Sequence, residues 1–210
     1  MIELKDINLE LDGKSIFNNF NLHIKAKERL VIVGESGLGK SRLLRLIAGL
    51  DAPDRGEIYI DDILVTKDRE IVVEPYARGV NMVFQDLALW SHLSVEKNIS
   101  FGLEVQKVPK IEIDKKVKDM LHLVGLDGYQ KREIETLSGG EQQRIALARS
   151  LATNPKILLM DEPLSSLDYQ RQKLLSQKIV ELQELLGFTL IYVTHNHKEA
   201  RSVGSRVFEL

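Results

Sequence analysis

The chain has 210 residues, 29 Lys+Arg against 31 Asp+Glu, 43% hydrophobic and 29% charged residues, and no cysteine. This globular balance excludes a disulfide scaffold, a thiolate metal site and a Cys nucleophile, and points to a reducing compartment. It is also too near neutral for an affinity built on phosphate-backbone neutralisation, and no apolar run approaches the ~20 residues of a membrane span.

Acids stand early in Met1-Ile2-Glu3-Leu4-Lys5-Asp6, so the start does not read as a signal peptide. Apolar residues then alternate through Ile7, Leu9 and Leu11 to a turn dipeptide, Asp12-Gly13, and the stretch to Ile24 predicts antiparallel strands. Leu30-Val31-Ile32-Val33 is a continuous apolar run of the kind buried on both faces. A glycine-rich loop and then Leu43, Leu44, Leu46 and Ile47 at helical spacing follow it. Glu57 to Val65 alternates again, Lys67 to Glu70 reads as a polar loop, and Val80 to Phe84 as a short strand. From Leu87 to Leu151 the pattern is mostly helical, with breaks at Val108-Pro109 and Leu126-Asp127-Gly128. Buried-strand runs return at Ile157 to Met160 and Thr189 to Val193, on either side of an amphipathic helix from Tyr169 to Leu186. Strands alternating with helices imply an α/β fold with a mainly parallel sheet.

Three segments carry chemistry. Gly34-Glu35-Ser36-Gly37-Leu38-Gly39-Lys40-Ser41 has the phosphate-loop spacing: glycines let backbone N–H groups converge on phosphate oxygens, Lys40 reaches the outer phosphates, and Ser41 can ligate Mg²⁺. Asp161-Glu162 ends a buried strand, which sets one carboxylate to hold Mg²⁺ through its water shell and the next to polarise a water. Ser138 and Glu141 have capping-box spacing at a helix start, but that does not explain Gly139 and Gly140, which weaken a first turn. A lone histidine such as His195 is by itself more often structural, and His23, His92, His122 and His197 have no chemical context.

With these segments in order, the chain resembles the nucleotide-binding subunit of an ABC transporter. Gly34 to Ser41 is similar to the Walker A loop, Gln85 in Val83-Phe84-Gln85-Asp86 to the Q-loop glutamine, and Leu137 to Arg144 to the signature motif. Ile157 to Pro163 is similar to the Walker B strand, Ser165-Ser166-Leu167-Asp168 to the D-loop, and His195 to the switch histidine. The resemblance implies a RecA-like P-loop NTPase core of residues 1–86 and 153–210 with an N-terminal antiparallel β layer, and an inserted helical subdomain of 87–152. It implies ATP and Mg²⁺, with phosphates held by Lys40 and the loop amides from Gly34 to Ser41, and metal held by Ser41, Gln85 and Asp161; the charge of Arg42, outside the family pattern, adds an expected contact to the α-phosphate. Glu162 is the implied general base, with His195 and Gln85 beside it. Ser138, Gly139, Gly140 and Asp168 are implied to meet the nucleotide of a second, head-to-tail copy.

Departures from the family pattern fall at three positions: Leu11 stands where an aromatic residue usually stacks on adenine, Arg42 where a hydroxyl usually touches the α-phosphate, and Asn196 where an acid often follows the histidine. The chain also stops at Leu210, short of the strands and regulatory domain that many importer subunits carry. The segment from Val83 to Val95, with Asn98-Ile99 and Phe101-Gly102-Leu103 beyond, resembles importer subunits for sugars, polyamines, ferric iron or oxyanions, which implies a bacterial or archaeal importer subunit at the cytoplasmic face. Leu87, Leu89, Trp90 and Leu93 supply more apolar surface than a solvated loop needs, so membrane permeases are expected to dock there. Trp90 filling a small helical core is the competing reading. A kinase lacks the signature segment, a chromosome-organising ATPase needs a long coiled coil, and a translation or DNA-repair ATPase without transport remains the alternative; no nucleic acid is expected.

Overall fold

The computed structural model describes residues 1–35 and 37–210, and its strands form two five-stranded sheets. The first is built from β1 (Ile2–Leu11), β2 (Lys14–Ile24), β4 (Arg55–Ile60), β5 (Ile63–Lys67) and β6 (Glu70–Ile71), in the order β2-β1-β4-β5-β6. All its pairings are antiparallel. The β1–β2 hairpin closes through Asp12 and Gly13, both at positive φ (50° and 73°), as the primed turns that match strand twist require. Register shifts within β1 break strict alternation near Asp6, which itself sits at φ 50°.

The second sheet contains β3 (Arg29–Val33), β7 (Val80–Val83), β8 (Ile157–Asp161), β9 (Thr189–Thr194) and β10 (Arg206–Glu209), in the order β10-β3-β9-β8-β7. Every neighbour pair is parallel. The three central strands β3, β9 and β8 are buried on both faces, which is why they read as continuous apolar runs. Leu30, Ile32, Leu159, Ile191 and Val193 face one core shared with β1, β2, β4 and helix α1 (Lys40–Ala48). Val31, Val33, Leu158, Met160, Leu190 and Tyr192 face the other, filled by α4 (Gly139–Ala152), α5 (Tyr169–Leu186) and α6 (His197–Val203). Helix α1 is therefore enclosed between the two sheets.

Between β7 and β8 the chain forms α2 (Val95–Val105) and α3 (Lys110–Leu123), which pack on each other and on α4. Ser94 caps α2 by accepting from Lys97 N–H. Three expectations need correction. Residues 67–70 are the turn of a β5–β6 hairpin rather than a loop, with Asp68 at φ 49°. The helical reading from Leu87 begins only at Val95, because 87–94 is irregular backbone held by side-chain bonds. Helix α6 and strand β10 were not anticipated; β10 is an exposed four-residue edge strand with no alternation to read.

Candidate functional site

The parallel strands deliver their C-terminal ends to one cleft, where open α/β sheets bind ligands. Strand β3 ends at Gly34, and the loop beyond it turns into α1 through Gly37 and Gly39, at φ 91° and 93°. A Cβ on Gly39 would strike Ile16, so this position demands glycine twice over. Gly39 caps α1 without any side chain, which leaves the first-turn N–H groups directed at the cleft for an anion. Lys40, the first residue of α1, is only 5% exposed, and its Nζ donates to the carbonyl oxygens of Gly34 (2.8 Å) and Glu35 (2.7 Å). Glu35 and Leu38 are exposed, and Ser36 lies outside the described residues.

Ser41 Oγ donates to Asp161 Oδ1 at 2.9 Å, joining the loop helix to the end of β8. Asp161 is 7% exposed, and burial pushes its carboxyl above the usual carboxylate range; repulsion from Glu162 adds to this while the Ser41 bond and Lys40 oppose it. Glu162 follows in a left-handed conformation, φ 42°, an outlier for a side chain of this size. Its N–H donates to Val193 O (3.0 Å), and its Oε2 lies 2.9 Å from His195 Nδ1. The expected base and histidine thus meet across the ends of β8 and β9.

A cavity of 390 Å³ is lined by Leu11, Ile16, Gly37, Gly39, Lys40, Ser41, Arg42, Gln85 and Glu162. Of the residues named from sequence it gathers Gly37, Gly39, Lys40, Ser41, Arg42, Gln85 and Glu162, while Gly34, Glu35, Leu38 and Asp161 do not line it. Leu11 and Ile16 give one wall an aliphatic character, and Phe17 and the partly buried Phe20 pack with ring centroids 5.1 Å apart in a tilted pair. Arg42 lines the cavity, yet its Nη1 is paired with Asp51 at 3.0 Å beside Arg45.

Ser138, Gly139 and Gly140 start α4 away from this cavity. Ser138 N–H and Oγ both donate to Glu141 Oε2 (2.8 and 2.7 Å), which completes the capping box. The Tyr129 hydroxyl also donates to Glu141, and together with the Ser138 bonds it holds the carboxyl down at about 2. A Cβ on Gly139 would meet nothing within 4 Å, so packing inside the chain does not ask for glycine there. A separate cavity of 470 Å³ is lined by Ser138, Gly140, Glu141, Arg144 and Arg171 among others. Asp168 is exposed, and its carboxylate caps α5 by accepting from Arg171 N–H at 3.0 Å.

Two arginines escaped the sequence reading. Arg78, 4% exposed, donates to five neutral acceptors around the end of α1. Arg149 donates to the carbonyls of Leu87 and Ala88. Apart from Val73 O, five residues before Arg78, their acceptors are main-chain carbonyls or a threonine hydroxyl 12 to 62 residues away, which no local pattern announces. Trp90 is half-buried against Phe101, with ring centroids 4.7 Å apart, and does not belong to either core; no helix of the described residues is long and apolar enough to cross a membrane.

The family model for ABC transporters matches residues 17–165. A spermidine/putrescine import ATP-binding protein of Clostridium novyi is 43% identical over 207 residues, covering 99% of this chain and 58% of that protein. The corresponding protein of Vibrio cholerae is 44% identical, covering 99% of this chain and 54% of that protein. The chain therefore spans little more than half the length of these curated relatives. Among solved structures, a dimeric ATP-binding cassette in a post-hydrolysis state with ADP and Pi superposes with a TM-score of 0.87 at 34% identity, covering 100% of this chain and 94% of that one. A Clostridium perfringens cassette, part of the ABC transporter complex cbiONQ, gives a TM-score of 0.88 at 31% identity, covering 99% and 83%. With the family model spanning most of its length around this cleft, the chain belongs to the ABC transporter family, as one of its ATP-binding cassettes.

Proposed function

We propose that the chain hydrolyses ATP as the energy-coupling subunit of a solute importer, paired head to tail with a second cassette and bound to membrane permease subunits. One observation carries this reading: the cleft of Lys40, Ser41, Gln85 and Glu162 shares no residue with the cavity of Ser138 and Gly140. Each chain then holds two half-sites, and two chains complete two whole ones. Glycines that nothing in their own chain requires, at a helix start, suit a phosphate approaching from a facing subunit.

In each composite site the amides from Gly34 to Ser41 and the Lys40 ammonium bind the phosphates, with Arg42 flanking them, and Ser138, Gly139 and Gly140 bind the γ-phosphate held by the partner. Asp168 fixes the turn that faces the other cassette. The described residues contain no group of three acids or histidines able to hold a metal alone. The pair Ser41 Oγ and Asp161 Oδ1 is the small oxygen set that suits Mg²⁺, which fills its shell with phosphate and water, and Gln85 lines the same cleft. When bound, the ion supplies charge neutralisation on the transferred phosphoryl group. Glu162 accepts the proton of the attacking water at its carboxylate, and His195, bonded through Nδ1, holds that carboxylate in place and reports on the γ-phosphate.

In this reading the labour is divided between an ATP-binding core of 1–86 with 153–210 and a helical subdomain of 87–152 that carries the signature segment and the Trp90 face, where permeases dock at the cytoplasmic side of the membrane. Likeness to the spermidine/putrescine proteins supports a small organic polycation as the transported solute. The test is to mix Ser138→Arg chains with Lys40→Ala chains. Each alone is expected to be near background in MgATP hydrolysis, and the mixture to recover activity from its one intact composite site. No recovery at any ratio contradicts assembly across subunits.

A further inference from the structure

We propose that Arg149 is a positioning residue for Gln85, holding a strained turn beside it and fixing that turn to the helix that begins with the signature segment. The inference rests on the reading of Gln85 as part of the nucleotide site. Two residues past Gln85, Leu87 and Ala88 stand in succession at φ 62° and 44°. Neither is glycine, and left-handed backbone at two adjacent side-chain-bearing residues persists only where the surroundings impose it. Within the turn itself, Leu87 N–H donates to Phe84 O at 2.9 Å.

The imposing group is Arg149 in the last turn of α4. Its Nη1 donates to Ala88 O at 2.6 Å and its Nη2 to Leu87 O at 2.7 Å, and the guanidinium lies 5.0 Å from the Trp90 ring centre. A planar fork fits two successive carbonyls in a way a single ammonium cannot. Arg149 is half-buried, and burial lowers its pKa while the Asp86 carboxylate opposes that shift. The following stretch has a different anchor: buried Asn98 on α2 bonds the carbonyls of Trp90, Leu93 and Ser94. Arg149 thus holds the part of the loop nearest Gln85, and Asn98 holds the part nearest the docking face.

Helix α4 also carries Ser138 and Gly140 at its start, and Gln143 Nε2 donates to Ser166 Oγ in the loop after Glu162. From Ser138 to Arg149 is about 16 Å of helix. A displacement of the signature segment by the partner's nucleotide therefore travels along one rigid rod to the turn that sets Gln85. The clamp links the half-site that faces the partner to the chain's own cleft.

The experiment uses Arg149→Met, Arg149→Lys, Gln85→Ala and the double variant Gln85→Ala/Arg149→Met, with KM, kcat, melting temperature and Trp90 fluorescence. Trp90 is the only tryptophan, so emission and quenching report the clamp directly. Arg149→Met is expected to lose about 10- to 100-fold in kcat, as misplacement of a site residue typically costs. KM should stay within about threefold, because Lys40 and its loop are untouched. Arg149→Lys should fall between, and the double variant should lose no more than the worse single variant. Trp90 emission should shift to the red in Arg149→Met. Full kcat in Arg149→Met, or losses that multiply in the double variant, overturn the proposal. If Arg149→Met does not fold, Arg149→Lys decides, since a lowered kcat at unchanged melting temperature supports the clamp and an unchanged kcat overturns it. A wild type without ATPase activity would sink the functional reading instead, and Trp90 emission unaltered by either substitution would then overturn the clamp by itself.

Discussion

Replacing Arg78 with Met keeps the aliphatic stem and removes the guanidinium that knits α1 to the antiparallel sheet. The bonds at stake run from Nε to Val73 O (2.8 Å), from Nη1 to Leu46 O (3.3 Å) and Ile47 O (3.1 Å), and from Nη2 to Val65 O (2.9 Å) and Thr66 Oγ1 (2.8 Å). Leu46 O keeps the Gly49 N–H, and Val65 O keeps those of Val72 and Val73. Among the described bonds Ile47 O, Thr66 Oγ1 and the half-buried Val73 O have no partner but Arg78, and a buried acceptor left bare costs about 1–3 kcal/mol, the half-buried one less. Loss of a cation at the C-terminus of α1 adds about 0.3–1 kcal/mol. Relief of burying that cation, which lowers its pKa to about 10, works in the opposite direction. The net expectation is a loss of about 2–4 kcal/mol, or roughly 4–16 °C in melting temperature at about 2–4 °C per kcal/mol for a chain of this size. Arg78→Lys should lose most of this too, because one ammonium cannot reach acceptors on α1, β5 and Val73 together. Calorimetry of both variants is the assay, and a melting temperature within about 1 °C of wild type in Arg78→Met would refute the reasoning.

Two further outcomes are expected. Glu141 has its carboxyl held from 4.5 down to about 2, so the stabilisation it gives is complete above 4.5 and lost as pH falls through that window; the stability gap between wild type and Glu141→Gln, followed by urea unfolding, should close between pH 4.5 and 2. Leu11→Tyr places a ring on the aliphatic wall of the cleft, and because base stacking is worth about 1–3 kcal/mol, ATP should bind about fivefold tighter or better, while wild type should bind GTP nearly as well as ATP; equal ATP affinities in the two proteins would point to another residue as the reader of the base.

Legibility in the sequence tracks the range of the interactions. The phosphate loop, the Walker-type strand and the signature segment are local patterns, and helix α5 from Tyr169 to Leu186 falls where its amphipathic periodicity puts it. The hairpin at Asp12-Gly13 is equally local. Hidden features depend on partners far along the chain: Arg149 meets carbonyls 61 and 62 residues away, and Arg78 reaches α1 from 31 and 32. The β5–β6 turn is not legible in the sequence because Asp68 and Arg69 look like any polar loop until the pairing of Thr66 with Ile71 closes it. Arg42 shows the limit from the other side, since its residue type suggests a phosphate contact while its guanidinium is engaged by Asp51.

In the proposed mechanism two chains close over ATP with Glu162 as the base. The most direct measurement is the mass of Glu162→Gln in solution without nucleotide, with MgADP and with MgATP, alongside its turnover. A general base typically supplies about 10²–10⁴ in rate, so hydrolysis should fall by that order while phosphate contacts remain. The variant should then be monomeric without nucleotide and with MgADP, and should reach twice the chain mass only with MgATP. A dimer that forms without nucleotide, or near-wild-type turnover in Glu162→Gln, would contradict it.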